Sequence, residues 1–352
     1  MTLILTNEEI TRLLTMKELI PALEDSYIEL IEGRGANGPR SDIVTPTTQR
    51  PDGLYALKQM SAVVPKLGIG AVRINSDILY FPESGGTKRR EKMAAVPGGR
   101  YVGLVLLFST HDGAPLAICP DGVMQRMRVG ATNAIAAKYL ARKDARRVAI
   151  IGSGGQAEAQ LLGLDALFAL EDIRVFSPSR EHRDGFARTM GEAIGKTVRP
   201  CDSAAAACKG ADIVACATNA LAPVFMASWV EPGMLVSSIR PGATEIERPA
   251  WDKFDLMAVF NRADDAVTLS THGRKRADAG GERLAMTLPT LFEIVTGRHR
   301  GRARESETIC FINNLGMGYQ FAATGHVVYE RARALGLGRE LPTEWFTETV
   351  QP

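Results

Sequence analysis

The stretch ValAlaIleIleGlySerGlyGlyGlnAla, at 148–157, constrains this chain more than any other. An apolar run leads into it and a helical pattern, QAEAQLLGLDALFAL, leads out. Gly152, Gly154 and Ala157 give the G-x-G-x-x-A spacing. The first glycine of such a turn permits a tight bend, and the second lets the backbone approach a pyrophosphate. The third small residue lets helix pack closely on strand. The new helix then turns its unpaired amides and the positive end of its dipole toward the phosphates. The flanking sequence supplies the βαβ unit this requires, with DIRVFSPS as a second strand and HRDGFARTMGEAI as a second helix. Further strands follow at DIVACAT, MLVSSI and LMAVF. Strands alternating with helices across short loops predict an α/β fold with a parallel, doubly wound sheet, a Rossmann dinucleotide-binding domain.

The end of the second strand reads the cofactor. An acid there would hydrogen-bond the ribose hydroxyls of NAD. Here PheSerProSerArg stands at 176–180, without an acid. Ser177, Ser179 and Arg180 suit a 2′-phosphate, so the expected cofactor is NADPH, with NADH as the alternative.

The chain's 352 residues suit two domains. A short strand, Leu3 to Leu5, opens it, and Thr6 with Glu9 makes a capping box. Thr15 with Glu18 reads as a second box, opening an amphipathic helix that Gly33 and Gly35 end. From about 40 to 120 short apolar runs separated by turns predict antiparallel strands, with HisAspGly at 111–113 as a hairpin turn and LysArgArg at 88–90 in an exposed loop. An alanine-rich helix is expected from Arg126 to Leu140, and another over Ile309 to Leu335, packing back on the first segment. The expected division is 126–305 for the nucleotide domain. Residues 1–125 and 306–352 form a discontinuous α+β domain for substrate and dimerisation.

Charge and composition exclude several classes. Lys and Arg number 42 against 40 Asp and Glu, a net charge of +2, which argues against a dedicated nucleic-acid binder. The basic run at 298–304 then reads as a solvated loop or a dimer contact. The histidines at 111, 182, 272, 299 and 326 form no ligand pattern, so no metal is expected. Sparse cysteines fit buried thiols in a reducing compartment. No apolar run reaches the ~18 residues of a membrane span, and the first residues do not read as a signal peptide. A cytoplasmic enzyme is expected.

Other segments narrow the reading. They are the arginine-led helix at 126–141, the GlySerGlyGlyGlnAla loop at 152–157, AlaThrAsn at 217–219 and ProGlyAlaThrGlu at 241–245. GlyArgHisArgGlyArg at 297–302 and ThrIleCysPheIleAsnAsnLeuGly at 308–316 close the series. In this order they resemble the ornithine cyclodeaminase / mu-crystallin family, over about residues 1–340. The resemblance implies a nucleotide domain beside a dimerisation and substrate domain. It also implies hydride transfer between nicotinamide and the α-carbon of an amino or imino acid. By the same resemblance Gly152, Gly154, Gly155, Gln156 and Ala157, with Thr218 and Asn219, hold the cofactor. Arg128 serves substrate and cofactor, and Arg40 binds the substrate carboxylate. Asn313 and Asn314 hold the nicotinamide or cap the following helix, Asn314 being the cofactor candidate.

The chain departs from the family at three places. Arg73 stands where members carry a lysine that binds substrate and moves a proton, and arginine cannot give up its proton at working pH. Ile239 and Arg240 stand where an aspartate precedes the ProGly turn, and Phe321 replaces another aspartate. Lys58, on the strand face shared with Met60, is the candidate replacement acid. The catalytic candidates are therefore Lys58 and Arg73, and the substrate anchors Arg40, Arg73 and Arg128. The reading is an NAD(P)H-dependent imine or ketimine reductase or amino-acid dehydrogenase. The alternatives are an ornithine cyclodeaminase-type ammonia lyase and a non-catalytic NADPH-binding protein like the crystallins. The added arginines favour an acidic or N-substituted imino acid over a basic one.

Overall fold

The computed structural model describes residues 1–84, 87–88, 90–98, 101–262, 266–270, 273–276 and 287–349. Arg89 and His272, which entered the charge and histidine readings above, lie outside them.

In chain order the elements begin with β1 (Thr2–Ile4), α1 (Asn7–Leu13) and α2 (Met16–Ile31). Then come β2 (Arg40–Pro46), β3 (Leu54–Val64), β4 (Ile69–Tyr80), β5 (Val102–Ser109), β6 (Pro115–Pro120) and α3 (Asp121–Leu140). The nucleotide segment runs β7 (Arg147–Ile151), α4 (Gly155–Asp165), β8 (Asp172–Phe176), α5 (Arg180–Ile194), β9 (Val198–Pro200) and α6 (Ala204–Cys208). It continues with β10 (Ile213–Cys216), β11 (Leu235–Ser238) and β12 (Leu256–Val259). The rest is β13 (Ala266–Ser270), β14 (Gly273–Arg276), α7 (Leu291–Val295), β15 (Ile309–Ile312), α8 (Gly318–Leu335) and β16 (Arg339–Leu341).

Seven strands form the parallel sheet, in the order β9-β8-β7-β10-β11-β15-β12. Every pairing in it is parallel. The order reverses beside β7, which places a crevice at the carboxyl ends of β7 and β10, where open α/β sheets take their ligands. An eleven-stranded sheet runs along β14-β13-β2-β3-β4-β5-β6-β1-β16, with the short strands Ala36–Asn37 and Glu91–Met93 paired onto β3 and β4. One of its faces is covered by α8, whose first residue Gly318 sits so near β3 that a Cβ would lie 2.2 Å from the Ser61 carbonyl oxygen. Helix α3 packs against α4 on one side and α2 and α8 on the other. Gly130 makes that crossing possible, since a Cβ there would lie 2.1 Å from the Ala159 carbonyl oxygen.

Several sequence expectations change here. The Ile309–Ile312 run is the strand β15, inserted between β11 and β12, and the last long helix begins only at Gly318. Four fully apolar residues in a row carry no period, so the run merged by eye with the helix behind it. The parallel sheet thus takes a strand from beyond residue 305, while β13 and β14, inside 126–305, extend the other sheet next to β2. Helix α3 starts at Asp121, more than a turn before Arg126, because Pro120 sets its first turn. The Thr6/Glu9 box forms in both directions. The Thr15 hydroxyl instead donates to the Glu18 carboxylate and leaves the backbone uncapped. Helix α2 ends at Ile31 with Gly33 left-handed, and Gly35 lies past the turn, against Tyr319. The His111–Gly113 turn joins β5 to β6 as expected.

Candidate active site

The glycine loop leaves β7 at Gly152, whose φ of +117° no β-carbon-bearing residue adopts easily. A Cβ there would also lie 2.4 Å from the Ala217 carbonyl oxygen of the neighbouring loop. Gly154 caps α4 with an ordinary extended φ of −93°, and a Cβ on it would meet nothing within 4 Å. The space in front of Gly154 is therefore open, next to the amides of Gly155, Gln156 and Ala157 that helix geometry leaves unpaired. That is the cradle a pyrophosphate requires. Ala157 is fully buried. The Arg126 guanidinium, on α3, flanks the loop, its Nη1 3.7 Å from where a Gly155 Cβ would stand. Gln156 donates to Gln125 of α3 at 2.9 Å, which locks α4 to α3.

The neighbouring loops are pinned by Glu245, the one acid near the ProGly turn that the sequence offered in place of the family aspartate. Glu245 is fully buried. One carboxylate oxygen accepts from the Thr218 amide and hydroxyl, both at 2.7 Å. The other accepts from the Ser238 hydroxyl at 2.8 Å and the Ile239 amide at 3.1 Å. Burial pushes its pKa up, and these bonds pull it back. Glu245 so ties the loop after β10 to the loop after β11, with Asn219 exposed just beyond. At the end of β8, Ser177 is buried and its carbonyl accepts from Arg183. Ser179 caps α5 by accepting the His182 amide. Arg180 is free to reach, with its side chain 85% exposed and only a 3.4 Å contact to Asp184.

The arginines converge on the other side of the crevice. Arg128, 6% exposed on α3, donates to Gln320 at 2.9 Å, while its buried Nε has no partner among the described residues. Burial, and then the charge of Arg73, push its pKa down to about 9. Arg73 lies on β4 opposite Met60 and binds Asp121 through Nε at 2.8 Å and Nη2 at 2.6 Å. The ring of Phe321 lies between the two guanidiniums, 5.2 Å from Arg128 and 5.4 Å from Arg73. The residue that stands for a family aspartate is thus a cation–π platform. Gln320, which holds Arg128, is itself held by Thr132 and Tyr27 inside a buried network.

Arg40 forks onto Asp42 with both bonds at 2.9 Å and lines a cleft with Asn37, Met60, Asn261 and Gly316. That cleft reaches Arg128, whose Nη2 would stand 2.6 Å from a Cβ on Gly316. Lys58 is buried on β3, its Nζ 2.9 Å from Asp77, and Lys92 binds the same carboxylate at 2.8 Å. Burial lowers the Lys58 pKa more than Asp77 restores it. Asn314 exchanges hydrogen bonds with the backbone of Asn261, and Asn313 reaches Val129. The structure therefore brings Arg40, Arg73 and Arg128 to one region. Sequence reading missed Arg126, Asp121 and Gln320, and it read Glu245 as a substitute acid where the structure makes it a tie between two loops.

Comparison with known proteins decides the family. The model of the ornithine cyclodeaminase/mu-crystallin family matches residues 86–336. The chain belongs to that family. Ornithine cyclodeaminase of Agrobacterium fabrum is 28% identical over 254 residues, covering 70% of this chain and 68% of the relative. Alanine dehydrogenase of Archaeoglobus fulgidus is 26% identical over 347 residues, covering 97% and 98%. The solved structure of Thermococcus litoralis Delta(1)-pyrroline-2-carboxylate reductase, in complex with NADH and L-proline, superposes with a TM-score of 0.78. It is 25% identical and covers 97% of this chain and 100% of that one. These family members differ in reaction, so the side chains of this chain must choose between them.

Proposed function

We propose that this protein is an NAD(P)H-dependent imine reductase or amino-acid dehydrogenase acting at the α-carbon of an imino or amino acid. The observation that carries this reading is the buried Arg128 guanidinium, without a carboxylate partner among the described residues, at the cleft by Gly316, together with the open cradle at Gly154. A buried cation without a counter-ion is costly unless a ligand supplies one, and a forked α-carboxylate does so. Bound at the loop, the nicotinamide nucleotide would supply or accept the hydride. The protein's own work is to hold the carboxylate, orient the carbon and deliver the proton to nitrogen. Lyase chemistry on ornithine also needs an anion for the distal ammonium. Among the described residues Asp42, Asp77 and Asp121 are already engaged, and Ile239 and Arg240 offer none.

Three tests follow from particular residues. With no acid at 177–180 and Arg180 open to solvent, NADPH is expected to be used in preference to NADH. Arg180→Ala should raise the KM for NADPH about tenfold, the loss of one charge-assisted contact, with little change for NADH. A wild-type preference for NADH contradicts this.

Lys58 is proposed as the proton donor, because its depressed pKa makes the ammonium a ready acid. In the reductive direction kcat then falls as pH rises through that pKa, since the donor must carry its proton. Lys58→Met should lower kcat about 100-fold, abolish that limb and spare NADPH affinity. An unchanged pH profile would assign Lys58 a structural role only.

The sheet face turned away from α8 carries Val63, Val72, Ile74, Val102, Leu104, Leu106 and Phe108, all partly or fully exposed. Ile74 lies directly opposite Leu104 in the register. A continuous apolar sheet face of this kind needs a partner, and we assign it to a second copy of this chain. Light scattering is expected to give a dimer, and Leu104→Asp a monomer. A monomeric wild type refutes the assignment.

A further inference from the structure

Which guanidiniums already have a carboxylate separates those that hold the fold from those that await a ligand. Arg40 is neutralised by Asp42 and Arg73 by Asp121, while Lys58 and Lys92 share Asp77. Arg90, Arg128 and Arg240 have no ion-pair partner among the described residues. The Nε atoms of both Arg128 and Arg240 are buried without a hydrogen bond.

Strand ends and mutual charge effects relate these three to the cleft. Arg128 reaches the cleft at Gly316, and Arg40 lines the same cleft. Arg240 stands two residues past the end of β11, and Asn314 two residues past the end of the adjacent parallel strand β15. Both therefore open onto the same end of the sheet, where chain 315–318 lines the cleft. Arg90 precedes the short strand Glu91–Met93 that pairs with the end of β4. The protein atoms around its head, and then the charges of Arg240 and Arg40, hold its pKa below the usual arginine value against the weaker opposing pull of Asp77 and Asp42. Arg40 likewise acts on Arg128. The run Arg128, Arg40, Arg90, Arg240 is thus electrostatically continuous. Unlike these, Arg126 faces the glycine loop, where a pyrophosphate would draw on it and on the α4 amides.

One carboxylate can satisfy Arg128. Arg240, on the loop after β11, and Arg90, beside the end of β4, then remain without an ion-pair partner among the described residues. We infer that the substrate carries a second carboxylate, held by Arg240 and Arg90, so that the enzyme works on dicarboxylic imino or amino acids. This rests on the reading of the site as an imino-acid reductase, and it adds the charge of the side chain. A diamino acid would place its distal ammonium against these cations and be repelled.

Equilibrium binding separates the two claims. With the NADP+-loaded protein, glutarate is expected to bind at least tenfold more tightly than valerate, its analogue with a single carboxylate. Arg240→Met and Arg90→Met should each reduce that ratio about tenfold, the loss of one charged contact. Equal binding of the two acids, or a ratio untouched by both variants, overturns the inference. Turnover is read in parallel with NADPH, ammonia and either 2-oxoglutarate or 2-oxopentanoate. Preference for 2-oxoglutarate supports the inference, and preference for 2-oxopentanoate overturns it while leaving the reductase reading intact. Reduction of neither acid, with NADPH bound and glutarate preferred, counts against the reductase reading but still supports a site for two carboxylates.

Discussion

A Gly154→Val protein is expected to fold and to lose affinity for NADPH by more than about 100-fold. The argument separates two glycines that look equivalent in the motif. Gly154 has an extended φ of −93° and open space where a Cβ would go, so valine enters the free protein without a clash. Its cost there is that of a poor helix N-cap, about 1 kcal/mol, and a small drop in Tm. The same side chain occupies the approach of a pyrophosphate to the α4 amides, and the ligand is excluded. Gly152→Val serves as the contrast. Its φ of +117° and the Ala217 carbonyl 2.4 Å from a Cβ make that change damaging with or without ligand. Fluorescence titration with NADPH and melting without ligand read the two effects apart. Undiminished NADPH binding by a folded Gly154→Val protein contradicts the assignment of the loop.

Arg128→Met is expected to move activity and stability in opposite directions. The guanidinium is buried, its Nε has no partner and its pKa is depressed to about 9 by burial and by Arg73. Guanidinium does not give up its proton in proteins, so the cost of that burial is carried as instability. Methionine fills similar volume without the charge. Gln320 keeps a donor, because the Met317 amide also reaches its oxygen at 3.0 Å. The melting temperature should therefore hold or rise. The same change removes the anchor of the α-carboxylate, and losing one partner of such a buried pair costs about 2–5 kcal/mol. That predicts a fall in kcat/KM of roughly 30-fold to several thousand-fold, dominated by KM. A large loss of stability with KM unchanged would make Arg128 a structural residue and remove the substrate anchor.

The parts of this account that could be read in advance are those written locally. The glycine loop lies within ten consecutive residues between a strand and a helix, and its geometry follows from that context. The Thr6/Glu9 box and the His111–Gly113 hairpin are equally local. What escaped was set by contacts between distant segments. Arg73 resembled a substrate residue because Asp121, 48 positions away, was invisible as its partner. Phe321 looked like a loss, an aspartate gone, until the fold set its ring between two guanidiniums. Gln320 meets Arg128 across 192 positions. Ile309–Ile312 was misread for another reason, since an apolar run without a period fits a strand or a helix and only its sheet neighbours choose. Arg240 was noted as a departure, and the structure added that it has no carboxylate to pair with among the described residues.

The central claim, hydride transfer between nicotinamide and an α-carbon, is tested most directly by following the hydrogen itself. The protein is incubated with ammonia, a 2-oxo acid and NADPH deuterated at the transferring position of the nicotinamide. The amino acid formed is then examined by mass spectrometry and NMR. The account predicts one deuterium at the α-carbon, with NADPH consumed in equal amount to the amino acid made. An amino acid formed without deuterium at that carbon would contradict it.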